Sequence, residues 1–164
     1  MKLSDHFSLS EFLPANYDPQ QTPGEIVAAL MDLAEQLLEP LRAGVGVSLR
    51  ITSGYRPLLF NVAVGGVPGS DHTTGHAADI QAVVSGAVDE AKTREAFSWL
   101  VKHGGTSLGQ VILEDHRKAL GDPGKLWVHV ALTSPAHADR LLVNRVLVSN
   151  SPRVYRPVTA EDLA

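Results

Sequence analysis

Apolar residues recur along the chain in two rhythms, and together these predict an α+β fold. Ile26, Leu30, Leu33, Leu37 and Leu41 fall three or four apart and make one stripe of a long helix. Thr22-Pro23-Gly24-Glu25 before it has capping-box spacing, with proline at the first helical position. Pro40 is expected to weaken the last turn, and Gly44 and Gly46 to end it. A second helix is predicted over residues 89–103, with Ala91, Phe97, Leu100 and Val101 turned to the core. A short one over 57–64 opens on Pro57.

The other rhythm has period two. Residues 47–53, 77–82, 110–114 and 126–132 read as strands. In 77–82, Ala78 and Ile80 face one way, while Ala77, Asp79 and Gln81 face the other. In 126–132, Val128, Val130 and Leu132 make the core face and leave Trp127, His129 and Ala131 opposite. Residues 116–125 read as a polar loop and 141–148 as a further strand. Residues 1–21 form an N-terminal arm with a helical turn over 8–12, pinned by Phe7, Leu9, Phe12 and Leu13. Residues 149–164 bear prolines and read as a C-terminal tail. Helices and strands do not alternate strictly, which favours a small, mostly antiparallel sheet flanked by helices over a doubly wound one.

Composition narrows the function classes. At 164 residues the chain is most simply one domain, 1–164, with enough length to bury a real core. The net charge of −4 gives no footprint for nucleic acid. No apolar run approaches the ~20 residues of a membrane helix, so no membrane insertion is expected. The opening Met1-Lys2-Leu3-Ser4-Asp5-His6 lacks the apolar core of a signal peptide, so another agent would deliver the protein to any site outside a cytoplasm. Cysteine is absent, which removes disulfides and thiolate metal sites and leaves histidine and carboxylate as ligands.

Those ligands concentrate in Gly69-Ser70-Asp71-His72-Thr73-Thr74-Gly75-His76-Ala77-Ala78-Asp79-Ile80. Thr73, Thr74 and Gly75 suit a turn between His72 and Asp79. His129 lies on the polar face of its own strand. Two imidazoles and one carboxylate leave a fourth position open, the pattern of a catalytic rather than a structural zinc. His72 and His76 are four apart and could chelate on a helix, but Gly75 and the strand that follows argue against one. His76 then reads as a rim residue that touches substrate.

The segment from Ser70 to Asp79 resembles the S-x-H-x-x-G-x-A-x-D signature of the M15 zinc peptidases, the D-alanyl-D-alanine carboxypeptidase group. Three other stretches resemble that family in the same order. Ser53-Gly54-Tyr55-Arg56 followed by Asn61 is similar to its S-G-Y-R…N block, Gln110-Val111-Ile112-Leu113-Glu114 to its Q-L-I-x-E strand, and Trp127-Val128-His129-Val130 to its W-x-H strand. The opening from Leu3 to Phe12 is similar to the leader of small phage-type members.

The resemblance implies a Hedgehog/DD-peptidase-like fold, with His72, Asp79 and His129 as ligands of Zn2+. Some members place the catalytic acid three residues before the last histidine. Leu126 stands there in this chain, so Glu114 takes the general-base role, with Asp115 and His116 as adjacent competitors. Arg56 would grip a substrate carboxylate or the developing oxyanion. Ser70 and Trp127 would line the cleft. The implied activity is hydrolysis of peptidoglycan stem peptides, at D-Ala-D-Ala or L-Ala-D-Glu, by a monomeric lysin or virion component of phage or prophage origin. An alternative keeps the fold and the metal without catalysis, as a cell-wall-binding or virion structural module.

Overall fold

A single open sheet carries the site. The computed structural model describes residues 1–120, 122, 125–133, 145–151 and 154–163. The chain opens with α1 (Leu9–Phe12), α2 (Gly24–Leu33), a π-helical turn (Ala34–Leu38) and α3 (Glu39–Val45). Then come β1 (Ser48–Ser53), α4 (Leu58–Ala63), β2 (Ala77–Val84), β3 (Ala87–Val88) and α5 (Glu90–His103). β4 (Leu108–Asp115), α6 (Arg117–Leu120), β5 (Leu126–Leu132), β6 (Arg145–Ser151) and β7 (Val154–Pro157) complete the described elements. The strand order is β1-β2-β5-β4-β6-β7, with β3 paired to β2. Every pairing is antiparallel except β4 with β6. The expected mostly antiparallel sheet flanked by helices is therefore what forms.

Register explains why one face packs and the other reacts. Ala78 and Val111 both pair with Val130, and Ile80 and Leu113 with Val128. All six are fully buried under the helices, where Leu30 and Leu33 of α2, Leu37 of the π turn, Leu41 of α3, and Phe97 and Leu100 of α5 complete the core. Each such side chain contributes roughly 1.5–3 kcal/mol through burial. One residue out of phase, Asp79 and Ile112 pair with His129, and Glu114 pairs with Trp127. Alternation thus turns Asp79, His129 and Glu114 together to the opposite face.

The N-terminal arm belongs to the core. Leu3, Phe7, Leu9 and Phe12 are buried beside Leu49 and Tyr55. Five local expectations are corrected. Pro23 is the N-cap of α2 rather than its first helical residue, and Thr22 Oγ1 is buried without a hydrogen-bond partner among the described residues, so no capping box forms there. Pro40, expected to weaken the last turn, instead acts on the turn ahead of it. The π turn ahead of it, closed by the Glu39 N–H donating to Ala34 O, makes room for the proline ring, and α3 runs on to Val45. Gly46, at φ 69°, is the stop. Gly44, expected to help end the helix, lies inside α3, where a Cβ would meet the Trp99 indole at 2.1 Å. Ala91 is exposed, and Thr93 and Ala96 take the buried positions of α5 instead.

The fifth correction concerns the end of the chain. The supposed loop after Glu114 contains α6, and the stretch taken for a tail supplies sheet. β6 continues to Ser151 alongside β4, and β7 pairs back onto it. The first four residues of the predicted strand 141–148 lie outside the described residues.

Candidate metal centre and its cleft

His72 is presented by a 3-10 turn, Asp71–Thr74, that ends at Gly75 with φ 76°. A side chain at Gly75 would also press on Ile26 O at 3.0 Å, so the turn needs glycine for conformation and for space. The Thr73 and Thr74 hydroxyls donate to Ser70 O and Asp71 O and close the turn on itself. His72 is almost fully buried. Its Nδ1–H donates to Gly54 O at 2.7 Å, which leaves the Nε2 lone pair facing the sheet. Gly54 in turn sits where a Cβ would lie 2.6 Å from Phe12 Cα and O, so the packed arm positions the carbonyl that orients His72.

Three donor atoms converge. His72 Nε2 is 3.2 Å from His129 Nδ1 and 3.4 Å from Asp79 Oδ1, and His129 Nδ1 is 2.9 Å from Asp79 Oδ1. Ligands bound at about 2.0–2.1 Å around a tetrahedral ion lie about 3.3 Å apart, so this triangle fits a small divalent cation with little movement. Burial lowers the His72 pKa against the pull of Asp79, which favours the neutral ring that a metal needs. Burial pushes Asp79 up, but the facing imidazoles of His72 and His129 outweigh it and hold the carboxyl well below the usual range.

Around this triangle opens a cleft of about 570 Å³. Arg56, Ser70, Glu114 and Trp127 line it. Arg56 Nη2 stands 3.8 Å from Asp79 Oδ2, and its buried Nε has no hydrogen-bond partner among the described residues. Burial lowers the Arg56 pKa, and Asp79 opposes that. His76 is not brought to this wall. Its Nδ1 lies 3.0 Å from Thr74 Oγ1, and its backbone carbonyl accepts from Leu132 N–H.

Glu114 is 7% exposed. Burial raises its pKa to about 7, with His129 pulling down, Asp79 pushing up and a hydrogen bond from Ser149 pulling down. A carboxyl poised near neutrality in a cleft suits proton transfer. Beside it are His116, which the sequence offered only as a competitor for the base role, and two residues that sequence reasoning passed over, Ser149 and, on the cleft wall, Tyr155. Only His116 carried a signal, through its place two residues after the acid. Ser149 and Tyr155 lay in the supposed tail.

The family model described as Peptidase M15 matches residues 5–116, more than half of the chain. The chain belongs to the M15 peptidase family. It is accordingly a metallopeptidase, with peptides as its substrate class. M15 peptidases are zinc-dependent, and the group formed by His72, Asp79 and His129 can hold such an ion. Arg56, His72, Asp79 and Glu114 fall inside the matched span of this M15 peptidase. His129 falls outside it and joins the set through its register with Asp79. No curated protein matches the chain. No helix among the described residues is long and apolar enough to cross a membrane.

Proposed function

We propose that this M15 peptidase is zinc-dependent and hydrolyses the stem peptides of bacterial cell-wall peptidoglycan, at D-Ala-D-Ala or at L-Ala-D-Glu. The observation that carries the reading is a buried carboxyl, Glu114, on the same sheet face and in the same cleft as three convergent metal donors. His72, Asp79 and His129 would hold the ion with three protein donors. When bound, zinc supplies Lewis acidity toward a carbonyl oxygen and acidifies solvent water.

The chain's own groups do the rest. Ionised Glu114 accepts a proton from the attacking water and returns it to the leaving amine. Arg56 offers a planar cation, with a free Nε–H, to a substrate carboxylate or to the oxyanion that develops at the cleaved carbonyl. Trp127 and Ser70 form walls against which the peptide lies. The cell-wall substrate follows from the four motif blocks shared with the D-alanyl-D-alanine carboxypeptidase group, and a phage or prophage origin from the opening segment. Such an enzyme acts on the wall after release or as part of a virion.

The test is digestion of purified peptidoglycan by the zinc-loaded protein, with and without chelator, followed by mass identification of the fragments. Release of D-Ala marks a carboxypeptidase. Fragments ending in free L-Ala mark an endopeptidase. No metal-dependent fragment at all would refute the reading.

A further inference from the structure

Behind Glu114, on the side away from the metal donors' strand β2, lies a small polar cluster that the reaction above does not use. His116 is 5% exposed, and Ser149 is fully buried. The parallel register of β4 and β6 sets Ser149 directly beside Glu114. His116 Nε2 lies 2.9 Å from Ser149 Oγ and 2.7 Å from Glu114 Oε2, and the Ser149 hydroxyl is bonded to the same carboxylate. Donor chemistry orders these contacts: the His116 Nε2–H donates to Ser149 Oγ, and the Ser149 O–H donates to Glu114.

The imidazole itself is fixed. Its backbone N–H donates to Lys125 O at 2.8 Å, and its ring meets Trp127 edge-on at 5.1 Å and 77°. Glu114 Oε2 is sealed from solvent and, although His116 Nε2 approaches it, makes no hydrogen bond among the described residues, so the exposure the side chain keeps belongs to its other atoms.

We propose that His116 and Ser149 are positioning residues for the proton-transferring carboxylate: the Ser149 hydroxyl bonds the group, the His116 imidazole backs its buried oxygen, and together they hold it toward the cleft. This rests on the reading of Glu114 as the general base. A glutamate has three rotatable side-chain bonds, and proton transfer needs a heavy-atom approach of about 2.6–3.2 Å. An untethered carboxylate would spend most of its time elsewhere, and a displacement of 1 Å can cost about 100-fold in rate.

The test uses the zinc-loaded full chain and muropeptides released from purified peptidoglycan. Ser149→Ala and His116→Phe should each lower kcat by about 10- to 100-fold, with KM and bound zinc unchanged. Ser149→Thr and His116→Gln, which keep the hydroxyl and an N–H donor, should recover most of the loss. The Ser149→Ala/His116→Phe pair should be little worse than its worse single member, because both act through one chain of bonds. Ser149→Ala removes a single oxygen and carries the test alone if His116→Phe does not fold.

Glu114→Gln separates the two layers of the argument. If it is inactive while the Ser149 and His116 variants keep wild-type kcat, the positioning role falls and the base assignment stands. If Glu114→Gln hydrolyses at the wild-type rate, both fall. Loss of zinc, or equal loss in the Phe and Gln variants at 116, would mark a merely structural residue and overturn the proposal.

Discussion

Replacing Glu114 by glutamine should make the metal-free protein more stable at pH 8 while removing its activity once zinc is restored. The carboxyl is 7% exposed, and its pKa is raised from 4.5 to about 7, first by burial. Below pH 4.5 the group is protonated in both folded and unfolded chains and costs nothing. Between 4.5 and about 7 the unfolded chain ionises first, so folding stability falls as pH rises, and the whole penalty is present above 7. At roughly 1.4 kcal/mol for each pH unit this amounts to about 3 kcal/mol. Glutamine still accepts from the Ser149 hydroxyl, but its amide N–H groups find poor partners near His116. That loss of about 1 kcal/mol leaves a net gain of about 2 kcal/mol. For a chain of this size the melting temperature should rise by about 4–8 °C at pH 8 and fall by about 1–3 °C at pH 4.5, where the amide loss outweighs the small remaining penalty. Thermal unfolding of chelator-treated protein at the two pH values measures this. Hydrolysis by the zinc-loaded variant should drop about 10²- to 10⁴-fold. A variant destabilised at pH 8, or shifted equally at both pH values, would refute the assignment of Glu114 as a strained, buried proton carrier.

Three further outcomes are expected. Activity should fall about tenfold per pH unit once pH drops below the Glu114 pKa, which bound zinc draws down from its metal-free value of about 7, because Glu114 then takes up the proton that a base must lack; parallel zinc analysis should find the metal still bound where the decline begins. Gly54→Ala would place a Cβ 2.6 Å from the Phe12 backbone and displace the carbonyl that orients His72, so competition with a chelating dye should show zinc affinity weakened by about 10- to 100-fold. Phe12→Ala empties a fully buried site of the arm and should cost about 3–5 kcal/mol in urea unfolding; an effect below 1 kcal/mol would mean that the arm is not part of the core.

The strands that matter most were legible because one alternation encodes two facts. In 77–82 and 126–132 the apolar phase named the core face, and the opposite phase carried Asp79 and His129 to the site. The long helical stripe was equally plain, since Ile26, Leu30, Leu33, Leu37 and Leu41 all reach the core. What stayed hidden depended on space rather than on pattern. Pro40 breaks a regular α-helix, but a widened turn ahead of it absorbs the ring, and no local residue announces that. Thr22 has the composition of a cap, yet the chain enters α2 one residue too late to use it. β6 joins β4 in parallel across a separation of more than thirty residues, a pairing fixed by tertiary packing. With that strand unseen, Ser149 could not be set beside Glu114, and His116 had no reason to be chosen over Asp115. Asp115 is instead bound to Arg94 and Arg117, away from proton transfer. His76 shows the converse: its four-residue spacing from His72 has no spatial counterpart once Gly75 turns the chain.

The central claim is that three side chains, distant in sequence, hold one catalytic cation. Anomalous scattering at the zinc edge from crystals of the zinc-loaded protein measures this directly. The account predicts a single strong peak within about 2.2 Å of His72 Nε2, Asp79 and His129 Nδ1. A zinc ion bound elsewhere, or held without one of these three residues, would contradict it.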